Sequence, residues 1–366
     1  MGTFTIASPA TRAPSGCRRG DSPSWAPGAG ELCESRAPSR RSVVVCTRVL
    51  WNSNGLGVMT GRTMDWPTST EPRLVVFPAG RTRDGGLVGG ERISADGCVW
   101  TSRHASLVTT IYGIGTADGI NDAGLAAHLL YLQATDFGLP DGRPQVHAGL
   151  WAQYALDMAA TVPEALEALE RIQVVMVGAR GHEANVHLVL EDADGDSAII
   201  EYIDGAAVVH HGPQHRVMTN DPVYDEQLAL LAAQDFSHPS REMPLPGNVN
   251  ARDRFQRAAY YLALLPDPSE ERGAVAGLLS VMRNVSVPFG APYGEFGIYN
   301  TEYRTVCNNS ARRYFFELTT SPNVLWAGLD GFELSPGSPV LMLDPDDIAL
   351  AGDVTDRFAP VESVAF

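Results

Sequence analysis

The sequence predicts a layered α+β protein, and three observations carry that prediction. Short β-branched runs bounded by Gly, Pro or Asn dominate from Val43 onward, helical periodicity is confined to a few clustered segments, and the two kinds of element do not alternate as βαβ units would. At 366 residues, 44% hydrophobic and only 19% charged, the chain can bury one large core or two modest ones.

Strands are expected at Val43–Trp51, Leu56–Met64, Leu74–Phe77, Leu107–Tyr112, Val186–Leu190, Ala198–Ile203, Val208–His211, Val217–Thr219, Tyr303–Asn308 and Arg313–Leu318. Leu150, Tyr154 and Met158 recur at i, i+4 and i+8 and mark a helix. A second opens near Thr161 with Pro163 in its first turn, and two more cover about 252–265 and 273–283. Asn52-Ser53-Asn54-Gly55, between the first two apolar runs, reads as a hairpin connection.

Residues 1–42 differ in texture from everything that follows. They are rich in Pro, Gly, Ser, Ala and Arg without apolar periodicity, and the change comes abruptly at Ser42-Val43-Val44-Val45-Cys46. We expect residues 1–45 to be a leader, removed and disordered, or an extension from a start codon placed too far upstream, and residues 46–366 to form a single domain. Ser39-Arg40-Arg41-Ser42 and Val43-Val44-Val45-Cys46 imitate export signals, but both kinds of signal need an apolar stretch of about 7–15 residues, and only three valines are present. The expectation is therefore a cytoplasmic protein.

Charge narrows the function. The formal net charge is −16, and residues 1–45 carry a surplus of Arg over Asp21, Glu31 and Glu34, so the remainder is more acidic still. Such a body repels phosphate backbones and anionic lipid surfaces, so neither nucleic acid nor membrane is an expected partner. All cationic side chains are arginine. Without Lys, a Walker phosphate loop, a pyridoxal Schiff base and a Ser-Lys amidase cannot be built.

The cysteines at 17, 33, 46, 98 and 307 form no C-x-x-C pair and suggest neither a disulfide framework nor a zinc site. His182 and His187 are one residue too far apart for the H-E-x-x-H pattern, and Asp192-Ala193-Asp194-Gly195-Asp196 has the wrong order for a calcium loop and reads better as a hairpin turn. No metal or cofactor is expected.

One constellation carries chemistry. A hairpin joining Cys46-Thr47-Arg48-Val49-Leu50-Trp51 to Gly61-Arg62-Thr63-Met64-Asp65-Trp66 would set Arg62 and Asp65 beside the Cys46 thiol. The cation would favour the thiolate, whose formation is the demanding step for a thiol with an ordinary pKa near ~8.5. No histidine is close in sequence to act as base. If the chain is cut before Cys46, the new α-amino group, with a pKa of about 7.7–8.0, can take the thiol proton. On the hairpin alone the simpler reading, a buried strand cysteine with a surface ion pair, is favoured.

What reverses that preference is a resemblance running in order from Cys46 to about residue 345. It includes Cys46-Thr47-Arg48, Gly61-Arg62-Thr63-Met64-Asp65-Trp66, Asp118-Gly119-Ile120-Asn121-Asp122-Ala123-Gly124-Leu125-Ala126, Asp196-Ser197-Ala198-Ile199-Ile200-Glu201-Tyr202, Val217-Met218-Thr219-Asn220-Asp221-Pro222, Asp253-Arg254-Phe255 and Asn284-Val285-Ser286-Val287-Pro288. These segments resemble the choloylglycine hydrolase family, which contains conjugated bile salt hydrolases and penicillin V acylases. The resemblance implies a four-layer αββα sandwich of the N-terminal nucleophile hydrolase type, and hydrolysis of a linear, non-peptide C–N amide bond in a small N-acyl substrate such as penicillin V, an acyl homoserine lactone or a conjugated bile acid.

By the same resemblance Cys46 would be nucleophile and, through its freed amine, general base. Arg62 would lie against the thiol, Asp65 would hold the amine, Asn220 would donate to the oxyanion, and Arg254 would complete the polar site. Tyr131, where penicillin V acylases tend to have Tyr and bile salt hydrolases Asn, would add a backbone donor and tilts the reading toward an acylase. Trp66, Leu132 and Phe137 would suit a greasy acyl group, and a homo-oligomer is compatible with this reading. Two alternatives stay open: an unprocessed relative that binds acyl ligands without turning them over, and a Cys-His thiol hydrolase using His104 or His187.

Overall fold

The computed structural model describes residues 45–292, 298–362 and 364–366. Residues 1–44 lie outside that range, and with them the expected leader and the first two residues of the strand expected from Val43. Two large sheets dominate. The first strand, β1 (Val45–Trp51), and the second, β2 (Met59–Trp66), form an antiparallel hairpin at the heart of an eight-stranded sheet. Across that sheet the order runs Val217–Met218, β1, β2, Ile298–Asn308, Arg313–Leu318, Leu325–Gly328 and Gly352–Asp353, and the eighth strand, Ala291–Pro292, pairs with the start of Ile298–Asn308 off this path. The nine-stranded sheet runs Ala206–His211, Ser197–Ile203, Val186–Glu191, Ala126–Tyr131, Gly115–Asn121, Ser106–Ile111, Leu74–Phe77, Val340–Leu343 and Ala359–Val361.

Among the described residues the α-helices are α1 (Trp151–Met158), α2 (Val162–Leu169), α3 (Tyr224–Ala232), α4 (Ala251–Ala263) and α5 (Glu271–Asn284). Thr161 caps α2 by accepting from the Glu164 N–H, and Pro163 sits in its first turn, as the sequence suggests. Asn250 caps α4 in the same way through the Asp253 N–H.

Period-two alternation separates two cores. Leu74, Val76, Leu107 and Ile120 face the eight-stranded sheet and share a cluster with Cys46, Met64 and Phe316, which continues to Phe255 of α4 and Leu278 and Met282 of α5. Val75, Val108, Ala127 and Leu188 point the other way, onto Trp151 and Leu156 of α1 and Val162 of α2. Helices, sheet, sheet and helices thus stack as the four-layer αββα sandwich that the resemblance implied. Among the described residues no helix is long and apolar enough to cross a membrane.

The second strand begins at Met59 rather than Leu56 and runs on to Trp66, because Asn52–Val58 is spent on a wide connection. In it Asn54 donates to the Trp51 carbonyl and accepts from the Leu56 N–H, and Gly55 takes a positive φ of 78°. The Asp192–Asp196 segment is the hairpin turn expected, closed by Asp192 Oδ1 accepting from the N–H groups of Asp194 and Asp196.

Gly115–Asn121 and Ala126–Tyr131 are strands the pattern did not reveal. The first reads Gly-Thr-Ala-Asp-Gly-Ile-Asn, too polar and glycine-rich for a strand by composition. It is wholly buried, and a Cβ on Gly119 would lie 2.6 Å from Val108 Cγ1 and 2.7 Å from the Leu107 carbonyl oxygen. Only glycine permits that sheet contact. Gly119→Ala should therefore destabilise the fold by about 1–3 kcal/mol, measured as a fall in the urea midpoint at unchanged slope.

Candidate active site

The β1–β2 register sets Cys46 opposite Met64 and Arg48 opposite Arg62. A bulge between Met64 and Asp65, where β2 pairs with Ile298–Asn308, then brings Tyr303 opposite Met64 and Thr301 opposite Asp65. Its consequence is a division of labour. Tyr303 receives a hydrogen bond from Arg62 (2.9 Å), and Thr301 donates one to Asp65 (2.5 Å).

Arg62 has no exposed side-chain surface. Its Nη2 lies 3.9 Å from Cys46 Sγ and 3.1 Å from the Leu129 carbonyl oxygen, and its Nη1 is 3.5 Å from Asp118 Oδ2. Asp65 is held by Thr63 (3.2 Å), by Thr301 and by Arg254 Nη1 (3.4 Å). Arg254 reaches in from the first turn of α4. It also donates to the Cys46 carbonyl (2.8 Å), to Thr47 Oγ1 and to Asn220 Oδ1 (3.0 Å).

Asn220 sits beside the end of β1. Its Oδ1 accepts from the Cys46 N–H and from Arg254, while its Nδ2 donates to the Tyr131 carbonyl (2.6 Å). Two donors on one atom and a carbonyl acceptor on the other settle which way the amide points. Cys46, Arg62, Asp65, Tyr131, Asn220 and Arg254, far apart in the chain, are thereby joined in one hydrogen-bonded cluster.

Burial raises the Cys46 thiol above the ordinary cysteine value. Arg62 opposes that shift, Asp65 adds to it, and burial prevails. Asp65 is also raised by burial, against Arg254 and the two threonine hydroxyls. The sulfur therefore rests as a thiol and needs a base.

Cys46, Arg62, Met64 and Trp66 open onto a pocket otherwise lined mainly by apolar side chains, among them Ile111, Leu129, Val177 and Val186. Its empty volume is about 660 Å³, open solvent at its mouth included. Trp66 meets Tyr131 edge to face, with centroids 6.3 Å apart, and His182 at 5.5 Å. Trp66 is placed as expected. Leu132 and Phe137 are not among the lining residues; Phe137 packs instead against Trp151 and Tyr202 beyond the second sheet.

Neither candidate histidine lines this pocket. His104 pairs with Asp122 (2.8 Å), and His187 lies between Glu201 (3.1 Å) and the Thr219 carbonyl (3.0 Å). His182 and Glu183 do line it, which their sequence context does not signal. The other residues missed are Thr301, which holds Asp65, and Asp118, whose carboxylate faces Arg62. Removing Arg254 would strand Asp65, whose side chain has no exposed surface, without its cation. Arg254→Met should cost about 3–5 kcal/mol, measured by equilibrium denaturation.

The profile of linear amide C–N hydrolases, choloylglycine hydrolase family, matches residues 46–348. A penicillin V acylase of Pectobacterium atrosepticum is 34% identical over 354 aligned residues, covering 88% of this chain and 92% of its own. The structure of penicillin V acylase from Agrobacterium tumefaciens superposes with a TM-score of 0.79 at 38% identity, over 88% of this chain and 99% of that one. A conjugated bile acid hydrolase from Clostridium perfringens shares the fold alone, with a TM-score of 0.70 at 17% identity over 84% of this chain and 98% of that one. With a buried cysteine at the first matched position and the same layers throughout, this chain belongs to the choloylglycine hydrolase family of linear amide C–N hydrolases.

Proposed function

We propose that Cys46, freed as the first residue by cleavage of the Val45–Cys46 peptide bond, is the nucleophile with which this hydrolase cleaves small N-acyl amides. The observation that carries the reading is the joint placement of its two groups. The sulfur lies at an apolar pocket within 3.9 Å of Arg62, and the nitrogen is held by Asn220 Oδ1.

A raised thiol with no histidine bonded to it, among the described residues, needs another base. The freed α-amine is on the same residue and titrates near neutrality, about 7.7–8.0 when unperturbed. It takes the thiol proton as sulfur attacks the substrate carbonyl, and Arg62 faces the developing thiolate. The tetrahedral oxyanion would be met by the second hydrogen of Asn220 Nδ2. The Tyr131 N–H would join it, since a strand residue directs N–H and C=O to the same edge and the Tyr131 carbonyl already faces Asn220. Collapse expels the amine, which takes the proton back. Water then cleaves the thioester and releases the acid, restoring the thiol.

The pocket's apolar walls favour a hydrophobic acyl group, and its aromatic pair of Trp66 and Tyr131 favours an aryl or aryloxy one, so penicillin V leads the substrate classes. Two relatives named as penicillin V acylases, at 34% and 38% identity, support the same order.

A panel of penicillin V, an acyl homoserine lactone and a conjugated bile acid, run with intact mass, tests this. We expect active protein to begin at Cys46, Cys46→Ser to abolish turnover, and Asn220→Ala to lower kcat by about 100- to 1,000-fold. Turnover by protein that retains the residues before Cys46, or by Cys46→Ser, refutes the mechanism. Protein that begins at Cys46 yet hydrolyses none of the three refutes the substrate class.

A further inference from the structure

Behind the thiol, the two sheets enclose a run of charges that the proposed chemistry does not use directly. Arg62 of β2 faces Asp118 at 3.5 Å, and Asp118 faces His128 Nδ1 at 3.6 Å. His128 Nε2 lies 2.6 Å from Glu191 Oε1, and Glu191 Oε2 lies 2.6 Å from Arg48 Nη2. All five side chains have no exposed surface. Asp118 further accepts from Thr305 (2.8 Å) and Tyr314 (2.6 Å), and Arg48 donates to Ser197 (3.0 Å).

With an imidazolium at His128, the signs run plus, minus, plus, minus, plus. One positive charge is left over among side chains with no exposed surface. The nearby Arg254–Asp65 pair balances itself. Tyr303, which accepts from Arg62, is pushed well above its ordinary value by burial and stays neutral, so among the described residues Cys46 is the group left beside Arg62 that can answer the surplus. We propose that Arg48, Asp118, His128 and Glu191 are positioning residues of the hydrolytic centre, forming with Arg62 a buried ladder whose single surplus positive charge offsets part of the cost of ionising Cys46 and becomes the counter-charge of its thiolate when the thiol proton leaves. The inference rests on Cys46 as nucleophile.

His128 is the member that can change sign. Asp118 faces it from the neighbouring strand, with Arg62 beyond, and Glu191 faces it from the other side, with Arg48 beyond. Burial disfavours its cation, but Glu191 and Asp118 outweigh burial and raise its pKa. Cys307 and Tyr314 complete the surroundings, and burial pushes both well above their ordinary values, so they stay neutral. Burial also works against the two carboxylates. Arg62 and His128 hold Asp118 at about 2, and Arg48 and His128 hold Glu191 at about 2, so both remain charged. None of the four lines the substrate pocket. They therefore act through Arg62 and the thiol.

The test is the pH dependence of Cys46 alkylation by iodoacetamide in the full chain, read at that residue by peptide mass, so that no cleavage or substrate is needed. His128→Gln keeps a hydrogen-bonding side chain but removes the charge. Its midpoint should rise by roughly one pH unit or more, a tenfold loss of thiolate at fixed pH. His187→Gln, which removes a carboxylate-paired imidazole outside the ladder, should leave the midpoint in place. An unchanged or lowered midpoint in folded His128→Gln, or an equal rise in His187→Gln, overturns the ladder.

Should His128→Gln fail to fold, imidazole ¹⁵N spectra of the His187→Gln protein decide instead. A doubly protonated ring persisting at about pH 8, well above the unperturbed histidine value, supports the ladder, and only neutral rings at that pH overturn it. Hydrolysis that survives in Cys46→Ser would sink the nucleophile separately, since the thiol titration is read without turnover.

Discussion

Two arginines directly opposite each other, Arg48 and Arg62, face inward across the β1–β2 hairpin with no exposed surface, and the rest of the structure is organised around that constraint. Like charges in cross-strand register repel, and a buried cation without a counter-charge costs several kcal/mol. The counter-charges come from the other sheet. Asp118 meets Arg62, Glu191 meets Arg48, and His128 lies between the two carboxylates. Such pairs add little net stability compared with apolar packing. What they supply is a specified alignment of one sheet on the other.

That alignment is what makes a site. The strand Ala126–Tyr131 pairs with Gly115–Asn121 only from Ala126 to His128, so the carbonyls of Leu129 and Tyr131 are available to other donors. Arg62 takes the first and Asn220 the second. The Cys46 strand, the arginine beside its sulfur and the amide beside its nitrogen are thus all indexed to one stretch of the opposite sheet. Arg254 of α4 ties the helical layer to the same point through the Cys46 carbonyl, Asn220 and Asp65. Three of the four layers meet at the cysteine. A small displacement of any would be felt there.

Burial gives the site its chemistry and its difficulty. A thiol deep between sheets is protected from side reactions but resists ionisation, and Arg62 offsets only part of that penalty. An enzyme built this way needs a base that adds no further buried group. The α-amine that cleavage before Cys46 would free meets that requirement, which is the physical case for the proposed cleaved form.

The sequence by itself determined the layered fold class, the α2 cap at Thr161, the hairpin after Trp51 and the candidacy of Cys46, Arg62 and Asp65, because alternation, capping and turn chemistry are local properties. Motifs carried by resemblance added Tyr131, Asn220 and Arg254. It was silent on Gly115–Asn121, whose glycines and polar residues are there to fit another strand and another sheet, and it pointed Leu132 and Phe137 to the acyl site, where the structure does not place them, because apolar character does not say whether a side chain lines a pocket or packs in a core. Only the tertiary structure decided that Asp118, His128 and Glu191 stand behind Arg62. Their meeting with Arg62 depends on the stacking of one sheet on another, which brings together residues more than 50 positions apart along the chain.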